Sequence, residues 1–128
     1  TDQSKHKVTV YGFTREIPAL MAAADVLVSK PGGLTCSEAI ACRLPLIINE
    51  PIPGQEEDNA RFLEQAGVAV MTRNVAEVLA ALNSIFGPEE TKMFDQQALA
   101  RLSHPNSSNL IAGGIIHFIE RNWSLLTK

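Results

Sequence analysis

Four short apolar runs, each without regular polar alternation, punctuate the first seventy residues of this chain. They are Val8-Thr9-Val10, Val26-Leu27-Val28, Leu46-Ile47-Ile48 and Val68-Ala69-Val70. Runs of this kind belong to strands covered on both faces, and strands covered on both faces belong to parallel sheets. Between them lie Ile17 to Ala24, Leu34 to Arg43 and Glu56 to Ala66, each long enough for a crossover helix, and Gly67 stands where a helix C-terminal stop is expected. The order predicts a βαβαβαβ unit of class α/β.

After the fourth run the pattern changes. Asn74 is placed to cap a helix whose Val75, Val78, Leu79, Leu82, Ile85 and Phe86 follow the spacing of one buried stripe, and Gly87-Pro88 ends it. Pro88 with Glu89 and Glu90 suits the first turn of another helix, running to about Leu102, because proline has no N–H to lose there and acids meet the positive end of the dipole. A last helix opens at "HPNSSN" and carries Leu110, Ile111, Ile115, Phe118 and Ile119 toward Trp123, with Gly113-Gly114 as its weak point. The expected architecture is a Rossmann-like parallel sheet of about four strands with flanking helices and a C-terminal helical segment, in a single domain over residues 1–128.

Composition narrows the function. The chain has 128 residues, 45% apolar and 20% charged, which is enough to bury a core. A net charge of −3, with no cluster of Lys or Arg, argues against a nucleic-acid partner, whose phosphates demand concentrated positive charge. No apolar run reaches the roughly 18 residues of a membrane span, so a soluble, intracellular domain is expected. Cys36 and Cys42 are six apart, too far around a helix to pair, and His6, His104 and His117 have no ligand spacing. Two small buried hydrophobic cysteines in a reducing compartment, and no metal, are the expectation.

In open α/β sheets, ligands sit beyond the carboxyl ends of the strands, where loops lead into helix N-termini. Two turns fall there. Ser29-Lys30-Pro31-Gly32-Gly33 follows the second run and enters the helix near Leu34, which reads either as an ordinary turn or as a phosphate seat of free N–H groups. It is neither a Walker loop nor a G-x-G-x-x-G fingerprint. Glu38 likewise has two readings: the acid of a Thr35-x-x-Glu38 capping box, or a carboxylate accepting two hydrogen bonds from a ribose diol. The second turn is Pro51-Ile52-Pro53-Gly54. Beyond it Gln55, Glu56 and Asn59 share a helix face able to bind sugar hydroxyls, while Glu57 and Asp58 serve the helix dipole. By the edge rule, both turns should lie on the same edge of the sheet.

The segment "SKPGGLTCSEAIACRLPLIINEPIPGQEEDNARFLEQAGVAV" resembles the donor-sugar motif in the C-terminal half of the family-28 glycosyltransferases. Within that family it resembles the processive diacylglycerol glucosyltransferases and the plant monogalactosyldiacylglycerol synthases, with the peptidoglycan N-acetylglucosaminyltransferase more distant. The specific parts are S/T-K-P-G-G-x-T-x-x-E-A and P-G-Q-E-x-x-N, and beyond Val70 only the helical layout agrees.

What the resemblance implies is an inverting GT-B enzyme of two Rossmann-like halves, the C-terminal half binding a UDP-sugar and the N-terminal half supplying the acceptor site and catalytic base. Carried onto this sequence, the backbone at Phe13 meets the uracil, with the Phe13 ring itself expected in the core. Gly32, Gly33, Leu34 and Thr35 meet the diphosphate, Glu38 the ribose, and Gln55, Glu56 and Asn59 the sugar. Lys30 beside the seat is read as a solvated charge. No cofactor beyond the UDP-sugar substrate is implied, and no catalytic residue is expected in this chain. The resemblance further implies a fragment lacking the acceptor half, or else the donor-binding subunit of a two-chain enzyme, acting peripherally at a cytoplasmic membrane surface on a lipid acceptor. A UDP-sugar epimerase shares the fold but needs acid and base residues in the cleft, and no His stands there.

Overall fold

The computed structural model describes residues 7–88 and 93–126. In chain order the elements are α1 (Ile17–Ala23), β1 (Leu27–Ser29), α2 (Gly33–Ala41), β2 (Leu46–Asn49), α3 (Gln55–Gln65), β3 (Ala69–Thr72), α4 (Val75–Phe86), α5 (Gln96–Leu102) and α6 (Ser107–Leu126). The three strands form one parallel sheet in the order β1-β2-β3, with Leu27 opposite Leu46 and Leu46 opposite Ala69.

The middle strand shows why an uninterrupted apolar run was needed. Leu46, Ile47 and Ile48 are all fully buried. Because side chains alternate across a strand, Leu46 and Ile48 enter a core shared with Met21, Cys36, Ala39, Ala60, Leu63 and Leu99. Ile47 points the other way, into a smaller core with Val70, Ala81 and Phe94. Thus α2, α3 and α5 cover one face and α4 the other. Thr72, the one buried hydroxyl of β3, donates to the Ile48 carbonyl at 3.0 Å and is satisfied within the sheet.

Helix ends follow from single residues. At the end of α3, Gly67 takes φ 76, its N–H reaches the Glu64 carbonyl at 2.9 Å, and Val68 N–H reaches that of Leu63 at 3.1 Å. This paired closure uses the left-handed conformation that glycine adopts without strain. The same pair of bonds closes α2 around Arg43, at φ 55. At α4, Asn74 Oδ1 accepts the Glu77 N–H at 2.9 Å, and Glu77 Oε2 accepts the Arg73 N–H at 2.7 Å, so the expected cap is present with its reciprocal acid.

Three expectations are corrected. The run Val8 to Val10 is not a strand, and Val8 and Val10 are 65% and 89% exposed. With neither face covered, three ordered residues have no burial to offset their lost backbone entropy. The sheet therefore has three strands among the described residues. Glu89 and Glu90 lie outside the described residues, but Met93–Asp95 is not helical, and α5 begins at Gln96. There Asp95 serves as the cap, its Oδ1 accepting the Gln97 and Ala98 N–H groups at 2.8 and 3.0 Å. Of the α4 stripe, Val78, Leu82 and Ile85 pack on the core around Ala81, while Val75, Leu79 and Phe86 are exposed. The expected last helix is present as α6, which runs unbroken through Gly113-Gly114, and Leu110, Ile111, Ile115, Phe118 and Trp123 along it are all more than half exposed.

Candidate functional site

Both turns singled out in the sequence lie at the carboxyl edge of the sheet, as the parallel strands require: Ser29–Gly33 leaves β1 for α2, and Glu50–Gly54 leaves β2 for α3. The first turn is pinned by Pro31, whose ring is fully buried. Gly32 follows with φ −62 and ψ 139 and caps α2 through its carbonyl, which accepts the Cys36 N–H at 2.9 Å. No side chain caps the helix. The N–H groups of its first turn, from Gly33 to Thr35, are the ones a helix leaves without an internal partner.

The two glycines are not required by the backbone. Gly32 and Gly33 have ordinary φ, and a methyl group on Gly33 would meet nothing within 4 Å, while one on Gly32 would meet only Thr35 Oγ1 at 3.9 Å. The space above the helix N-terminus is open. Leu34 is 82% exposed and Thr35 half-buried, so the turn presents backbone rather than a packed surface.

The capping-box reading of Thr35 and Glu38 does not survive. Thr35 is the third residue of α2, not its cap, and α2 starts two residues ahead of it. The Thr35-x-x-Glu38 spacing lies inside the helix, and Glu38 is exposed. Helical Cα–Cβ bonds tilt toward the N-terminus, so the Glu38 side chain starts out leaning toward the first turn of α2.

The second turn is built around Gly54, at φ 105 and ψ −133, a conformation essentially reserved for glycine. Its carbonyl accepts the Asp58 N–H at 3.0 Å and starts α3. Gln55 is exposed at the first position of the helix. Glu56 is half-buried and bends back on its own loop, Oε2 accepting the Ile52 N–H at 3.0 Å. Asn59, also half-buried, reaches across to the first turn: Nδ2 donates to the Pro31 carbonyl at 3.2 Å. Gly33 and Asn59 together line a groove of about 220 Å³ between α2 and α3, with Cys36, Ser37 and Phe62. Cys36 at its base has its thiol pushed up from the ordinary value, first by burial and then by the negative charge of Glu56.

Phe13 lies in the loop ahead of α1. Its ring is 96% exposed, which corrects the expectation that it lies in the core. Lys30 is exposed, as a solvated charge would be. Sequence spacing missed the buried anchoring role of Pro31 and the bond from Asn59. It also missed a second groove, of about 430 Å³, on the other side of the Pro51–Pro53 turn, lined by Glu50, Arg61, Thr72 and Arg73. Among the described residues no cluster of three His, Cys, Asp or Glu side chains could hold a metal ion, and no helix is long and apolar enough to cross a membrane.

The arrangement is thus a helix N-terminus with no side-chain cap and open space above it, faced by a second, glycine-shaped turn that carries an amide and a carboxylate. It suits an anion flanked by a polyhydroxyl group. Residues 1–102 match the model of the glycosyltransferase family 28 C-terminal domain. A processive diacylglycerol beta-glucosyltransferase of Bacillus subtilis is 34% identical over 110 residues, 86% of this chain and 29% of that protein. Proteins of the same name from Bacillus licheniformis and Bacillus mycoides are 34% and 30% identical over 87% and 90% of this chain. The chain spans less than a third of the length of these relatives. By the extent of the match over its sheet and both turns, the chain belongs to glycosyltransferase family 28, as a C-terminal domain of that family.

Proposed function

We propose that this domain binds the UDP-sugar donor of an inverting glycosyltransferase that passes a hexosyl group to a membrane lipid such as diacylglycerol. The observation that carries the reading is the open N-terminus of α2 at Gly32 and Gly33, without a side-chain cap, on the same sheet edge as Gln55 and Glu56. The N–H groups of Gly33, Leu34 and Thr35 hold the diphosphate, Glu38 accepts from the ribose hydroxyls, the backbone near Phe13 meets the uracil, and Gln55 and Glu56 meet sugar hydroxyls. The acceptor lipid follows the names of the relatives.

In the reaction the acceptor oxygen attacks the anomeric carbon as the bond from that carbon to the diphosphate oxygen breaks. The acceptor proton goes to a base in the remainder of the full-length protein, and the electron pair of the broken bond leaves with UDP. The part of this domain is to bind the growing negative charge on the departing diphosphate with backbone dipoles already in place, so that no reorganisation is needed as the charge develops. A lipid acceptor makes the complete protein peripheral to the membrane.

Calorimetry on the full-length protein tests the donor site: UDP binds more tightly than ADP. Transfer to diacylglycerol in vesicles, assayed with UDP-glucose, UDP-galactose and UDP-N-acetylglucosamine in turn, tests the acceptor. Equal affinity for ADP and UDP sinks the uridine site, and no transfer from any of the three donors sinks the lipid acceptor.

A further inference from the structure

Asn59 differs from its neighbours in what its side chain is already doing. Its Nδ2 donates to the Pro31 carbonyl at 3.2 Å, half-buried, and so ties the head of α3 to a residue 28 positions earlier in the phosphate turn. The bonded carbonyl belongs to the peptide that joins Pro31 to Gly32. A trans peptide is planar, its C=O and N–H pointing in opposite directions, so fixing the carbonyl toward α3 fixes the Gly32 N–H on the opposite side and sets the angle at which the chain enters α2. This control is needed. The ring of Pro31 is anchored in the core and the Gly32 carbonyl is bonded to the Cys36 N–H, but a methyl group on Gly33 would meet nothing within 4 Å and one on Gly32 only Thr35 Oγ1 at 3.9 Å, so side-chain packing does little to orient the peptide between them and Pro31.

We propose that Asn59 is a positioning residue for the donor diphosphate, whose side-chain amide holds the Pro31–Gly32 peptide in the orientation that aims the start of α2 at the phosphates. The proposal rests on the donor-site reading above, and it assigns Asn59 to the phosphate side of the ligand through the turn. The effect is preorganisation: the N–H groups stand in place before the ligand arrives.

The test is Asn59→Ala in the full-length protein, since alanine keeps α3 helical. Loss of one positioning bond weakens UDP and UDP-glucose by the same factor, about tenfold. In the unliganded protein, amide hydrogen exchange at Gly32, Gly33 and Leu34 accelerates while exchange in β2 does not change. Weakening confined to UDP-glucose makes Asn59 a sugar contact and overturns the proposal, as do unchanged affinities for both ligands or unchanged exchange in the turn. Should Asn59→Ala fail to fold, Asn59→Leu, of similar branched shape and without a donor, gives the same comparison. A wild-type protein that binds neither UDP nor UDP-glucose overturns the donor-site reading and this proposal together, and is seen before any variant is made.

Discussion

Gly67 accepts the backbone N–H of Asp95 through its carbonyl at 2.8 Å, and a methyl group placed on Gly67 would stand 3.3 Å from Asp95 Cβ. One residue therefore ends α3 and seats the cap of α5. Gly67→Ala meets two costs, the left-handed strain of a non-glycine residue at φ 76 and a tight contact with Asp95. Together they destabilise by about 2 kcal/mol, which thermal denaturation reads as a fall of several degrees. Arg43 occupies the equivalent position at the end of α2 with φ 55, so the strain alone is tolerated in this fold. A melting temperature unchanged in Gly67→Ala would show that α5 does not dock through Asp95.

Asp95 also gives the protein a pH dependence of known sign. The Ala98 N–H, then the Gln97 N–H and the Arg101 guanidinium at 3.3 Å, hold its carboxyl below the ordinary carboxylate value. A folded-state value lower than the unfolded one gives stability that is present above the unfolded value, near 3.9, and is lost as pH falls through the folded value. Denaturant midpoints at pH 7, 4 and 3 should fall more steeply on the acid side for wild type than for Asp95→Asn, in which the cap no longer titrates. Identical acid branches would remove Asp95 from the account.

Reactivity separates the two cysteines. Cys36 is buried with its thiol pushed up, whereas Cys42 is exposed at the end of α2, which corrects the expectation that both are buried. Since thiolate and access both govern alkylation, iodoacetamide at pH 8 should label Cys42 well before Cys36 in the native protein. Equal rates would mean that the core around Cys36 opens readily.

The parts of this fold legible in the sequence are those decided locally. Leu46-Ile47-Ile48 reads as a two-faced strand because β2 is covered on both sides, and Gly67 and Asn74 read as helix ends because each acts on residues within a few positions. The runs that misled depended on partners. Val8-Thr9-Val10 has the same composition as a strand, but pairing is a property of two segments, and no strand lies beside it among the described residues. Thr35-x-x-Glu38 has capping-box spacing in a helix that begins earlier because Gly32 caps it by backbone alone. The bond from Asn59 to Pro31 joins residues on different elements, and no periodicity within one helix reports it.

Gly33 separates fold from site most directly. It has helical geometry at the first position of α2, and an added methyl group meets nothing within 4 Å, so Gly33→Ala should leave stability unchanged or raise it by up to about 1 kcal/mol. If the open space is where the diphosphate lies, the same methyl group stands against the ligand, and UDP affinity should fall at least tenfold. Calorimetry and thermal denaturation on one preparation decide it. Unchanged affinity with raised stability would mean that the diphosphate does not approach this turn.

Glu38 is the residue on which the nucleoside half of the donor site depends. It is exposed on α2, and the helix is capped without it, so Glu38→Gln should change stability by no more than a few tenths of a kcal/mol. As a ribose ligand the carboxylate offers one oxygen to each hydroxyl of the diol, and the amide keeps only one acceptor. One bond is lost, so UDP should bind about tenfold more weakly, equivalent to about 1.4 kcal/mol. The ligand can be changed to match. 2′-Deoxy-UDP lacks one of the two hydroxyls, so the wild-type protein should also bind it about tenfold more weakly than UDP. In Glu38→Gln that difference between UDP and 2′-deoxy-UDP should shrink, because the bond removed from the ligand is already missing from the protein, the non-additivity expected of groups in direct contact. If the full difference between the two nucleotides persists in the variant, the carboxylate does not touch the ribose, and the nucleoside must be bound by other residues.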